Sequence, residues 1–124
     1  MTDYRQGYLN YFYGITGLDE PYKALATACG GYVIADIRNE KRYTDYPVIK
    51  IEGVKLMGKP TVKDGILYVC DRAEGGVWVV DIKNINEPHL LYEGKFSGFP
   101  DIACPVPNGA VVPLGHQGIA FIKL

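Results

Sequence analysis

Apolar residues in this chain occur in short runs of five or six that are rich in β-branched and aromatic types. Three such runs each start with a glycine, at Gly31–Ile37, Gly76–Ile82 and Gly118–Leu124. Polar or glycine-containing stretches separate the runs, and no three- to four-residue apolar spacing continues long enough to predict a helix. The pattern therefore predicts an all-β protein.

The runs also recur at a nearly constant interval. Their leading glycines are 45 and 42 residues apart. A second apolar run precedes each glycine, at Leu25–Cys29, Ile66–Cys70 and Ala110–Leu114. These second runs are interpreted as strands that pair with the glycine-led strands that follow them.

Turn residues complete the repeating unit. Asp64-Gly65 and Asn108-Gly109 precede the second and third copies, and such dipeptides predict type I′ hairpin turns. Pro47 and Pro88 each open a further apolar run, a position where a strand tolerates proline. The unit is therefore predicted to be a four-stranded antiparallel meander repeated about every 42 residues, which is typical of a β-propeller blade.

A chain of 124 residues is long enough for one domain and too short for two. We expect a single propeller-type domain over residues 1–124, with blades at about 18–54, 55–96 and 97–124. A segment at residues 4–17 precedes the first blade.

The second copy resembles a known repeat. Gly75–Asn84 reads GGVWVVDIKN and is followed by EPHLL at Glu87–Leu91, which resembles the LVIVD repeat of bacterial and archaeal propeller proteins. The similarity is good over 58–96, fair over 24–54 and partial over 101–124, where Lys123 replaces the aspartate. The resemblance implies a propeller and carries no settled chemistry.

Three blades do not close a propeller, which usually has four to eight. The third blade also lacks a sequence for its outer strand. The aromatic segment near the N-terminus has the composition of such a strand, and we expect it to complete the last blade of a partner chain. Two chains would then form a six-bladed ring with two-fold symmetry. The predicted interface residues are Tyr8, Leu9, Tyr11, Phe12, Tyr13 and Ile15. The alternative is that the chain is a piece of a longer propeller.

Charge and cysteine content restrict the partners. The chain has 13 basic and 14 acidic residues, a balance that argues against nucleic acid as a partner. No apolar stretch approaches the ~20 residues of a membrane span, and no secretory signal is visible. The three cysteines, Cys29, Cys70 and Cys104, are too widely spaced for a disulfide framework or a zinc motif. Buried, reduced cysteines are expected, and with them a cytoplasmic location.

In a meander blade, the loops between the second and third strands emerge at the same end as the loops between blades. The residues of these loops should therefore surround one channel mouth, where a ligand would bind. The candidates are Lys59, Asp71, Arg72, Glu74, Asp101, His116 and Gln117.

The sequence predicts no catalytic residue, metal or cofactor. His89 lies on a different predicted element from His116, Asp36 and Asp81 are expected to serve turns, and Gly75-Gly76 is expected to form a turn and not a phosphate loop. The leading hypothesis is a non-catalytic binding or scaffold module that self-assembles and presents a loop face to a protein partner or small ligand. Two alternatives remain. One is an enzyme subunit that uses His116 with Asp71 or Asp101 as an acid–base or metal site, and the other is a carbohydrate-binding propeller.

Overall fold

The computed structural model of the chain describes residues 15–17, 22–26, 32–36, 48–49, 51–84 and 86–124. Most of these residues form strands, and a single turn of 3-10 helix at Gly115–Gln117 is the only helical element among them. No helix in the described ranges is both long and apolar enough to cross a membrane. The all-β prediction is confirmed for this part of the chain.

The described strands form three antiparallel sheets, each built from strands that are consecutive in sequence. The first sheet contains β1 (Ile15–Gly17), β2 (Tyr22–Ala26), β3 (Tyr32–Asp36) and β4 (Val48–Ile49). The second sheet contains β5 (Lys59–Lys63), β6 (Ile66–Cys70), β7 (Gly76–Asp81) and β8 (His89–Lys95). The third sheet contains β9 (Cys104–Val106), β10 (Gly109–Pro113) and β11 (Ile119–Lys123).

The second and third sheets repeat the same hydrogen-bonding pattern. In the second sheet the amide of Asp71, just after β6, donates to the carbonyl of Gly76 at 2.8 Å. In the third sheet the amide of Leu114, just after β10, donates to the carbonyl of Gly118, also at 2.8 Å. The two glycines that lead the sequence runs therefore close the same loop in successive sheets.

One of the two predicted hairpin turns is correct and the other is wrong. Asp64 and Gly65 link β5 to β6 with φ angles of +52° and +74°, as a type I′ turn requires. Between β9 and β10 the two central residues are instead Pro107 and Asn108, because Val106 pairs with Gly109. Proline cannot adopt a positive φ. With Asn108 at +72°, the turn has the φ signs of type II.

The predicted run Leu25–Cys29 starts three residues too late, since β2 spans Tyr22–Ala26. The prediction treated Leu25–Cys29 and Ile66–Cys70 as equivalent runs, with Cys29 at the position of Cys70. In the structure, Ala26 pairs with the start of β3 as Cys70 pairs with the start of β7. Cys29 lies outside the described residues.

The second sheet is buried on both faces. One face packs with Ile49 and Leu56 in a cluster that includes Leu67, Val69 and Val80. The other face packs against the third sheet, and that cluster includes Tyr68, Cys70, Val77, Val79, Ala110, Val112 and Ile122. Strands buried on both faces have continuous apolar sequences, which explains the unbroken runs in β6 and β7.

The expectation of buried cysteines holds for one described residue and fails for the other. Cys70 at the end of β6 is fully buried, and burial raises the pKa of its thiol to about 12. Cys104 at the start of β9 is exposed, because it pairs with Val111 on the face of the third sheet that does not contact the second sheet.

Candidate functional site

Loops of the second and third sheets meet at an open cleft of about 820 Å³, which we call the loop-end cleft. Four of the seven residues predicted for the channel mouth line it, and sequence analysis placed them in four separate segments. The lining residues are Lys59, Arg72, Phe99, Asp101, Ile102, Pro113, Gly115 and His116.

Each polar residue reaches the cleft from a segment fixed by the repeating sheet pattern. Lys59 is the first residue of β5, and Arg72 lies in the loop that the Asp71–Gly76 hydrogen bond closes. Asp101 lies before β9, where its amide donates to the carbonyl of Pro113 at 3.1 Å. His116 is in the 3-10 turn that connects β10 to β11.

An ion pair links two of these segments. Lys59 Nζ lies 3.2 Å from Asp101 Oδ1, and the two side chains are 40% and 37% exposed. Because both groups remain in contact with solvent, the pair stabilises the fold by at most about 1 kcal/mol. Its main effect is to orient two charged groups that line the cleft.

Asp101 is held in its charged form. Desolvation by burial raises the pKa of its carboxyl. The hydrogen bonds from Lys59 and from the amide of Ile102, together with the positive charges of Lys59 and Arg72, outweigh that effect and place the pKa below its ordinary value. The amide of Ile102 donates to Asp101 Oδ1 at 2.8 Å.

The remaining lining combines positive charge with apolar surface. Arg72 is exposed and forms no ion pair within 4 Å with any residue that the structure describes. Phe99 and Ile102 are 52% and 53% exposed. Neither was predicted to line the site, although Phe99 lies in the same linker as Asp101 and Ile102 follows it. The signal for both was a large apolar side chain in or next to a polar linker.

The other three predicted residues do not line the loop-end cleft. Asp71 and Glu74 line a second, smaller cleft of about 350 Å³ together with Trp78 and Glu93. Asp71 Oδ1 accepts a hydrogen bond from the amide of Ala73 at 2.9 Å, which orders the loop. Gln117 lines neither cleft.

The predicted interface segment falls largely outside the described residues, which include none of Tyr8, Leu9, Tyr11, Phe12 and Tyr13. Ile15 is described, and it begins β1, where it pairs with Leu25 of its own sheet.

Two further candidates are placed away from the cleft. Asp81 Oδ1 accepts a hydrogen bond from the amide of Lys83 at 2.9 Å, in agreement with the structural role predicted for it. His89 is exposed at the start of β8. Across the described part of the chain, no three His, Cys, Asp or Glu residues are grouped so that they could hold a metal ion.

No protein-family model matches this chain, and no curated protein or solved structure is significantly similar to it.

Proposed function

We propose that the chain is a non-catalytic, propeller-type binding module that assembles with a second copy and binds a ligand in its loop-end cleft. The stacking of consecutive antiparallel meanders, with four, four and three described strands, supports the propeller assignment. The LVIVD-like sequence of the second sheet supports it as well. In this proposal two chains contribute three blades each to a six-bladed ring.

The observation that carries the binding proposal is the Lys59–Asp101 ion pair at the boundary between two repeats. Loops of both sheets meet at this cleft, and Arg72 and His116 also line it. Because Asp101 compensates the charge of Lys59 and Arg72 forms no ion pair with a described residue, Arg72 supplies the remaining positive charge of the cleft.

The lining favours a small ligand with an anionic head group and an apolar body. Arginine binds carboxylate and phosphate groups through its planar array of donors. Phe99 and Ile102 offer exposed apolar surface within the same cleft, and a ligand that covers it gains hydrophobic free energy.

Neither alternative has a specific observation in its favour. In the enzyme hypothesis, His116 and Asp101 line the same cleft, but Asp71 lines the other cleft. The carbohydrate hypothesis needs exposed tyrosines. Of the two tyrosine side chains that the structure describes, Tyr68 is buried and Tyr92 is half-buried.

Benzoate is a suitable probe because it joins one carboxylate to an apolar ring. We expect titration of ¹⁵N-labelled protein with benzoate to shift the amide signals of Arg72, Ile102 and His116. Benzyl alcohol, which lacks the charge, should bind at least tenfold more weakly.

A double variant, Arg72→Ala with His116→Ala, should weaken benzoate binding about tenfold or more. Lys83→Ala removes a positive charge at the opposite, hairpin end of the second sheet and serves as the matched control. Shifts that are absent from the cleft, or that persist unchanged in the double variant, would show that this cleft is not the binding site.

A further inference from the structure

The third sheet has one covered face and one open face. The covered face contacts the second sheet through Ala110, Val112 and Ile122, which are all buried. Residues that pair directly across antiparallel strands project to the same side, so the register defines the opposite face. This third-sheet outer face consists of Cys104, Val111, Pro113, Ile119 and Phe121.

The outer face is apolar and exposed. Ile119 is 72% exposed and Phe121 is 55% exposed, and the register places them beside Pro113 and Val111. A contiguous set of large apolar side chains on one sheet face is typical of a surface that another element covers.

The repeat shows what happens to the same positions one sheet earlier. Val77 and Val79 occupy the positions in β7 that Ile119 and Phe121 occupy in β11. Both valines are fully buried, because the third sheet packs over them. The same positions are thus buried in the second sheet and exposed to solvent in the third.

The far edge of β11 has no strand partner among the described residues. In the second sheet, β7 pairs with β6 on one side and with β8 on the other. In the part of the chain that the structure describes, β11 pairs only with β10, so the third sheet has no described counterpart of β8.

We propose that a second copy of this chain covers the third-sheet outer face by stacking its first sheet on it. This inference rests on the self-assembly part of the proposed function and names the surface that mediates it. The contact would continue a stack that the chain already makes, since the first sheet packs on the second through Ile49 and the second packs on the third.

Two-fold symmetry explains why a second copy is the fitting occupant. When the third sheet of each chain packs on the first sheet of the other, both ends of the stack are covered and the assembly is closed.

The test replaces Ile119 and Phe121 together with aspartate and measures the mass by sedimentation equilibrium at low micromolar concentration. The wild type should have twice the 13.7 kDa mass of one chain, and the double variant should have that of a single chain. Because both side chains are exposed within the subunit, aspartate should leave the fold intact. Leu91→Asp, at an exposed site on β8, is the matched control and should remain dimeric.

Alkylation of Cys104 provides a readout that does not depend on a variant. In the wild type, iodoacetamide should modify Cys104 at least tenfold more slowly above the dissociation concentration than after dilution below it. The same protection should be absent in the Ile119/Phe121 variant at every concentration.

These results distinguish failure of the proposed contact surface from failure of self-assembly. A dimeric double variant would show that the chain assembles through another surface, and would overturn this inference while leaving self-assembly standing. A monomeric wild type would overturn self-assembly, and Cys104 protected in that monomer would show that the chain covers its own face. Benzoate binding is measured in a separate experiment, so none of these outcomes bears on whether the loop-end cleft binds a ligand.

Discussion

Lys59 and Asp101 form an ion pair across the boundary between the second and third sheets, with 3.2 Å between Nζ and Oδ1. Lys59 begins β5, and Asp101 lies just before β9, the equivalent strand of the next repeat. The pair therefore links the loop ends of two consecutive sheets, at the place where the cleft opens.

Lys59→Met keeps the length of the side chain and removes its charge. At pH 7 we expect it to lower the free energy of unfolding by at most about 1 kcal/mol, because the pair is half-exposed. The pKa of Asp101 in the folded protein lies below the ordinary 3.8. Stability from the pair is therefore present above pH 3.8 and is lost as the pH falls through the folded value.

The measurement is urea denaturation of the wild type and the variant from pH 7 to pH 2, followed by the fluorescence of Trp78, the only tryptophan. The difference between the two proteins should disappear at the acid end. Lys63→Met, at the exposed end of β5, should show no such pH dependence. A Lys59→Met difference that stays constant to pH 2 would contradict this account of Asp101.

Gly75→Ala should be strongly destabilising. A Cβ on Gly75 would lie 2.4 Å from the carbonyl oxygen of Phe96, and the residue has a φ of +84°. The backbone cannot move away, because the Gly75 amide donates to Asp71 and its carbonyl accepts from Phe96. We expect a loss of about 3 kcal/mol or more.

Gly53→Ala is the matched control, because Gly53 has a φ of +78° but no neighbouring atom within 4 Å of the position that an alanine methyl group would occupy. Its loss should be about 1 kcal/mol, the cost of the backbone conformation alone. Urea denaturation gives the free energy of unfolding of both variants. Equal losses would show that the contact with Phe96 does not contribute to the destabilisation by Gly75→Ala.

Thr61→Val should stabilise the protein. Thr61 Oγ1 is buried without a hydrogen-bond partner among the described residues. An unsatisfied buried hydroxyl costs about 1–3 kcal/mol, and valine replaces it with a methyl group of similar size. We expect a gain of about 1 kcal/mol in the free energy of unfolding. Thr61→Ser keeps the hydroxyl and should give no gain. A valine variant no more stable than the wild type would show that the hydroxyl is satisfied in solution.

Cys70 should be chemically inert in the folded protein. Its side chain is fully buried and its pKa is raised to about 12, so the reactive thiolate is scarce and shielded. Alkylation by iodoacetamide at pH 8, mapped by peptide mass, should be at least ~1,000-fold slower than in urea. Similar rates in both conditions would mean that the contact between the second and third sheets opens freely.

Much of the fold follows from local sequence signals. The bounds of β6 match the predicted run Ile66–Cys70, and the Asp64-Gly65 turn is correct, because both are determined by short-range chemistry. The Asn108 turn was mispredicted because Pro107 shifts the turn by one residue. The β2 strand was misplaced because an apolar run does not determine its register, which depends on cross-strand pairing.

The site was predictable only in part, for a related reason. Topology correctly placed Lys59, Arg72, Asp101 and His116 at one end of the sheets. It could not assign Asp71 to the second cleft, because the direction of a loop side chain depends on local hydrogen bonds such as that from the Ala73 amide. The exposure of Ile119 also could not be predicted, since the sequence of its strand resembles that of a buried strand.

In the assembly proposed above, the repeating stack of sheets continues from one chain into a second copy. Isotope-filtered NOE spectroscopy on an equimolar mixture of ¹³C-labelled and unlabelled chains detects this contact. We expect intermolecular NOEs from the methyl groups of Ile119 and the ring of Phe121. NOEs from both residues only within their own chain, or none beyond the third sheet, would contradict the proposed assembly.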